Sequence, residues 1–179
     1  MNLLDGTKDF AGDWTSVSPW ENDGTYEGLA VKKTGKQWNG IYKTFTVPKD
    51  GTYTFSAYVK SSGNSADVIR FSLLNGSDFS SVRKSLSNNF GWTRDSVTLN
   101  LKANDKVSAR YEISGAGSDS ILWTAGHKWE EGSTATPYMP SFSEVTAEDY
   151  PSYIGTYTDN NSNEQSTSPE KYSWKKIVE

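Results

Sequence analysis

Across 179 residues the chain has no cysteine and a single histidine, His127. Without cysteine there is no disulfide framework and no thiol chemistry. A nucleophile–histidine–acid arrangement would have to be organised around that one imidazole. Long apolar runs are also missing, and none approaches the ~20 residues a membrane-spanning helix needs. Charge of one sign is never concentrated: 18 Lys and Arg are scattered among 22 Asp and Glu, for a net charge of -4. A nucleic-acid surface needs a basic stripe to neutralise phosphates, and a membrane-surface protein needs a polybasic patch. Neither nucleic acid nor membrane is therefore an expected partner. Leu3-Leu4 gives way at once to Asp5-Gly6, so a secretory leader is not expected, and the chain reads as a piece cut from a longer protein.

Aliphatic residues are scarce too. Only 34% of the chain is hydrophobic, and the mean hydropathy is -0.69. Against this stand 7 Trp, 10 Tyr and 7 Phe. Each large ring buries about 150–250 Å², so a few rings replace many aliphatics and the chain is expected to fold. The same rings can stack on the apolar C–H face of a pyranose, whose rim is polar.

What patterning there is has period two. Tyr53, Phe55, Ala57 and Val59 fall on one side of a strand, with Thr54, Ser56 and Tyr58 on the other. Ile41, Phe45 and Val47 repeat the alternation. So do Ile69, Phe71 and Leu73; Val97, Leu99 and Leu101; and Val107, Ala109, Tyr111 and Ile113. Turn residues separate the runs: PKDG at 48–51, SSGN at 61–64, NG at 75–76, ANDK at 103–106 and SGAGSD at 114–119. Helical periodicity shows only in SEVTAEDY at 143–150. Many short strands at this spacing predict an all-β fold, an antiparallel two-sheet β-sandwich of jelly-roll type. The sandwich should occupy 1–140. Residues 141–179 should form a connector and a C-terminal segment, too small for its own core, that docks on the sandwich or on a parent protein. Within it, NNSNEQSTS at 160–168 reads as a loop.

Three stretches carry a resemblance. The chain opens NLLDGTKDF at 2–10, closes its strand pattern with KWEEGSTATPY at 128–138, and continues PSYIGTYTDNNSNEQSTSPEKYSWKKI at 151–177. Together these resemble the carbohydrate-binding modules of tail and baseplate proteins (evolved distal tail, tail-associated or accessory baseplate proteins) of phages that infect Gram-positive lactic acid bacteria. The texture of PKDGTYTFSAYV at 48–59 also fits such β-sandwiches. The resemblance covers about a third of the chain, at its two ends. It implies a non-catalytic module that binds host cell-wall polysaccharide, carried on the virion tail tip as part of a larger tail protein and acting at the bacterial surface. The alternative is a spacer or assembly module with no sugar binding. Modules of this kind often hold a structural calcium near the opening strand, helped by an aspartate late in the closing strand. Here Ala125 and Gly126 stand in that place, so no cofactor is expected; the oxygen donors left for such an ion are Asp5, Asp9 and Glu131.

No catalytic residues are expected. His127 reads as a structural histidine at the sheet rim, on the same side as Trp123 and Trp129 by alternation. Glu130 and Glu131 are adjacent in a strand and diverge, so they make no acid–base pair. The expected ligand residues form two sets. Tyr42, Tyr58, Arg70 and Arg110, with Glu112, should lie on the outward side of their strands, and if those strands are neighbours they share a face. Among the loop tryptophans, Trp38 in GKQWNG is the first choice, followed by Trp20 before ENDG and Trp92 after NNFG. Trp14 and Trp129 should belong to the core.

Overall fold

The computed structural model describes residues 1–115, 119–149, 153–158 and 166–177. The sequence alternation becomes two antiparallel sheets packed face to face. Sheet one contains β1 (Glu21–Tyr26), β2 (Leu29–Thr34), β4 (Gly51–Ser62), β8 (Phe90–Leu101) and β10 (Ile121–Glu131), in the spatial order β1-β2-β10-β4-β8. Sheet two contains β3 (Phe45–Thr46), β5 (Val68–Leu74), β6 (Ser77–Asp78) and β9 (Lys106–Ile113), in the order β3-β9-β5-β6, and the short β7 (Lys84–Ser85) also pairs with β5. A separate ribbon pairs β11 (Tyr153–Thr156) with β12 (Ser173–Lys176). The order within each sheet is non-sequential, as the jelly-roll reading requires.

Between the sheets lies the aromatic core anticipated from composition. Tyr53, Phe55, Ala57 and Val59 of β4 meet Val107, Ala109, Tyr111 and Ile113 of β9, with Phe45, Leu99, Leu101, Leu122 and Trp129 around them. Trp129 is fully buried and stacks on Phe45 at 5.5 Å. Each such side chain contributes about 1.5–3 kcal/mol on burial. That explains how a chain with so few aliphatics sustains a sandwich.

A buried ion pair crosses this core. Arg70 on β5 places Nη1 2.6 Å from Asp95 Oδ2 on β8, and Tyr111 donates its hydroxyl to the same oxygen at 3.0 Å. Arg70 also donates to the Ser96 and Val82 carbonyls. On β5 the inward residues are thus Val68, Arg70 and Ser72, while Phe71 lies on the outer face. Alternation was read correctly there and its sense inverted.

The closing motif forms a clasp. Lys128 and Glu130 share the outer side of β10 and are ion-paired at 3.4 Å, with the Lys128 side chain fully buried. Thr136 donates its backbone N–H and hydroxyl to the Glu130 carboxylate at 3.0 and 2.6 Å. The Lys128 ammonium donates in turn to Thr136 Oγ1 and the Pro137 carbonyl. Tyr138 Oη then lies 3.2 Å from Thr7 Oγ1, and the Asn2 amide accepts from Trp129 N–H and donates to the His127 carbonyl. The opening and closing stretches are therefore bound to each other.

Residues 141–149 form turns, and no helix forms at 143–149; Tyr150 lies outside the described residues. Most of the loop expected at 160–168 also lies outside them. The ribbon touches the sandwich through Tyr153, whose hydroxyl donates to the Tyr138 carbonyl at 3.1 Å.

Candidate functional site

Trp38 lies on the segment that runs along the free edge of β9. Its N–H donates to the Ile113 carbonyl at 3.0 Å, and Gln37 pairs with Ile113. The segment is pinned from below. Trp20 donates its indole N–H to the Asn39 carbonyl at 2.7 Å, and the Asn39 amide takes the Ser18 N–H and donates to Thr34 Oγ1. Trp38 itself adopts φ 54°, a left-handed conformation that bulky residues rarely hold, and it remains 47% exposed. A strained, exposed tryptophan held by buried hydrogen bonds points to use by a ligand.

Beside Trp38 the outer face of sheet two is aromatic and charged. Phe71 meets Trp38 edge-on, with ring centroids 6.1 Å apart. Arg110 is the cross-strand neighbour of Phe71, and its guanidinium lies 5.6 Å from the Phe71 ring and 5.4 Å from the Tyr42 ring. Its Nε donates to Glu112 Oε1 at 2.7 Å, two residues along the same strand and so on the same side. Arg83, from the loop before β7, covers Phe71 at 4.5 Å and is ion-paired to Asp78. Gly40 lets the edge segment cross this pair: a Cβ there would lie 2.5 Å from Arg110 Cδ and 3.0 Å from Glu112 Cγ. Phe71 is itself buried beneath Trp38 and Arg83, so the exposed Trp38 ring is the surface on this face that can stack on a sugar ring.

Of the residues expected to bind, Trp38, Tyr42 and Arg110 come together here. The others do not. Arg70 is buried in the core with Asp95, because Phe71 rather than Arg70 faces out. Trp20 is 7% exposed and acts beneath the Trp38 segment. Tyr58 and Trp92 lie on the outer face of sheet one, across the sandwich. There Tyr26 stacks on Trp92 at 4.4 Å and packs edge-on against Tyr58 at 5.2 Å. β1 and β8 are opposite edges of sheet one, about 19 Å apart at the usual strand spacing. β2 pairs with β10 only over Lys32–Thr34, so the rest of the β1–β2 hairpin must fold over the face to bring Tyr26 there. Lys60 lies over the Trp92 ring and the Trp123 ring as well, so the Trp92 ring is engaged within the protein. Glu112 accompanies Arg110 as expected, while Phe71, Arg83 and Asp78 lie outside the expected set. Phe71 reads as core from sequence, and only the sense of β5 reveals it.

His127 corrects another expectation. A bulge between Ala125 and Lys128 shifts the frame of β10, so Trp123 faces outward while His127 and Trp129 face the core. His127 is fully buried among Phe10, Trp14 and Phe55. Desolvation, helped by the charge of Arg94, lowers its pKa to about 3 and keeps the ring neutral.

The three carboxylates considered for calcium are engaged separately. Asp5 accepts from Ser143, Asp9 accepts the Ala11 N–H, and Glu131 is paired with Lys49 at 2.9 Å. Lys43 brings its own cation to the opening loop, donating to the Asp5 carbonyl at 2.9 Å against Gly6 and Gly12. Among the described residues no three acidic or histidine side chains converge.

No family model matches the sequence, and no curated protein matches it. The fold is nonetheless that of carbohydrate-binding modules. The chain is similar to the xylan-binding family-22 module of Xyn10C from Paenibacillus barcinonensis, at 16% identity and a TM-score of 0.51, over 75% of this chain and 97% of that one. It is similar to a family-4 carbohydrate-binding module at 14% identity and a TM-score of 0.50, over 73% and 99% of the two chains.

Proposed function

We propose that the protein is a non-catalytic saccharide-binding module that uses the outer face of sheet two. The observation that carries this reading is Trp38: half exposed, in a strained conformation, and set beside Phe71, Tyr42 and the Arg110–Glu112 pair. The ring would stack on a pyranose while the exposed Arg83–Asp78 pair meets its hydroxyls. Asp78 and Glu112 on the face are both engaged by arginines. The resemblance at the chain ends narrows the reading to host cell-wall polysaccharide, with the module carried on a phage tail tip or baseplate protein of a phage of Gram-positive bacteria. An open face captures few sugar atoms, so single-module affinity is weak and repeated copies on a virion supply avidity.

The test is labelling of intact Gram-positive cells by a fluorescent-protein fusion of residues 1–179, with Trp38→Ala alongside and polysaccharide-stripped cells as control. Labelling lost on stripping and in the variant supports the adhesion reading. Labelling that survives in the variant keeps the function and moves the site elsewhere. No labelling of any host tried favours the spacer alternative.

A further inference from the structure

We propose that the face on sheet two is charge-compensated, so that it takes an uncharged, hydroxyl-bearing stretch of glycan and discriminates against sugars bearing phosphate or carboxylate. The inference rests on the saccharide reading above and narrows its ligand class.

The group that would recognise an anionic sugar is a guanidinium presenting two parallel N–H donors. The face has two guanidinia, and neither is offered in that way. Arg110 turns its side edge to Glu112, with Nε 2.7 Å from Oε1. Its other edge includes Nη1, which is buried and meets no acceptor among the described residues. Both two-donor edges are thus closed to an incoming phosphate. The Glu112 side chain is only 9% exposed, so its negative charge is poorly screened and repels any anion that approaches Arg110. Arg83 is matched by Asp78 and lies flat on Phe71. Lys84 on the adjacent β7 lies 3.7 Å from the buried Asp95 carboxylate. Each guanidinium at the platform therefore has its own carboxylate, and neither offers a free two-donor edge to an anion. A neutral sugar loses nothing by this. It can stack on Trp38, and its hydroxyls can meet the exposed Arg83–Asp78 pair.

The experiment is affinity electrophoresis of the 179-residue chain. The gels contain neutral polysaccharides (xylan, mannan, β-glucan), anionic ones (polygalacturonate, phosphomannan), and Gram-positive wall polysaccharide before and after removal of phosphate with hydrofluoric acid. Each is run at about 0.05 and 0.5 M salt, since the higher salt screens exposed charges beyond a few ångströms. The expected result is retardation by neutral chains or by the dephosphorylated wall polymer. It should change less than about twofold with salt and disappear in Trp38→Ala, because stacking and hydroxyl contacts are weakly screened. Glu112→Gln, which frees the Arg110 side edge, should add a salt-sensitive retardation by the anionic polymers. Should that variant fail to fold, Asp78→Asn frees Arg83 at an exposed pair and should act the same way. Retardation of the unaltered chain by anionic polymers alone, lost at high salt, would overturn charge compensation and leave the saccharide reading standing. Retardation by none of the gels would overturn the saccharide reading and this inference with it.

Discussion

Arg70→Met tests the sense in which β5 faces. The substitution keeps an unbranched side chain of similar length and removes the charge. In the folded protein it leaves Asp95, also buried, without its guanidinium at 2.6 Å. Breaking a buried pair from one side costs about 3–5 kcal/mol, because the remaining charge is uncompensated. Two groups moderate the loss: the Tyr111 hydroxyl still donates at 3.0 Å, and the Lys84 ammonium lies 3.7 Å away with its side chain mostly in solvent. The lower end of the range, about 3 kcal/mol, is therefore expected, equivalent to a fall in Tm of roughly 6–12 °C for a chain of this size. Urea unfolding followed by tryptophan fluorescence measures it, and an unchanged m-value would show that the same surface is exposed. The double variant Arg70→Met/Asp95→Leu should recover most of the loss, since an apolar pair in place of a buried ion pair is often neutral. Saccharide binding by the folded fraction should be unaltered. A loss of binding with stability changed by less than about 0.5 kcal/mol, the range of ordinary surface substitutions, would refute this reasoning and return Arg70 to the surface.

Three further outcomes are expected. Gly40→Ala places a methyl group against Arg110 Cδ and Cγ, so it should weaken glycan binding about tenfold or more while leaving the unfolding midpoint less affected than Arg70→Met does; binding unchanged in affinity electrophoresis would show that the pair is not part of the site. His127 holds a folded pKa of about 3, below its ordinary value near 6.5, so the unfolded chain binds a proton that the folded chain refuses. Stability present above pH 6.5 is then lost as pH falls from there towards 3, by up to about 1.4 kcal/mol per pH unit, and an imidazole titrating near 6.5 by NMR would contradict this. Glu130→Gln removes the charge opposite the fully buried Lys128 and should cost about 3–5 kcal/mol in urea unfolding with binding retained; loss of binding at constant stability would make the closing motif a ligand contact instead.

Period-two alternation in the sequence places β3, β4, β5, β8 and β9, because each has one face on the core. β1 carries no such signal, since Glu21–Thr25 is exposed at every residue, and in β2 the alternation spans only Leu29 and Val31 before Lys32-Lys33. The available signal was the two-residue turn Glu27-Gly28 between Tyr26 and Leu29, with φ of 49° and 77°, the conformation that favours tight hairpins. Alternation also does not say which side is inside. On β9 the apolar set faces the core as expected, but on β5 the arginine faces in and the phenylalanine out, because the carboxylate partner of Arg70, Asp95, lies across the sandwich on β8. The β10 bulge had the same effect over a shorter distance, since one inserted residue exchanges the faces of everything beyond it. For the site, this meant that Trp38, Tyr42 and Arg110 were legible as candidates and Phe71, which joins them, was not.

The stretch with the strongest family resemblance and the stretch proposed to bind sugar do different work in this fold. In KWEEGSTATPY, Lys128, Glu130, Thr136 and Tyr138 bind one another and the opening segment, and nothing in that network reaches the Trp38 face. The motif therefore reports how the sandwich is closed, and a chain can share it while binding a different ligand or none. The proposed binding face has the complementary property. Phe71, Arg110 and Glu112 are outward residues of β5 and β9, whose inward neighbours Ala109 and Tyr111 belong to the core. Arg110 and Glu112 are also two residues apart on a single strand, and their pairing does not depend on the register of any other strand. On the proposed function, specificity would be concentrated in one strand face and one pinned edge segment, while the clasp fixes the scaffold. Such a module can be re-aimed at a new polysaccharide by substitutions around Trp38 that leave the closing motif untouched.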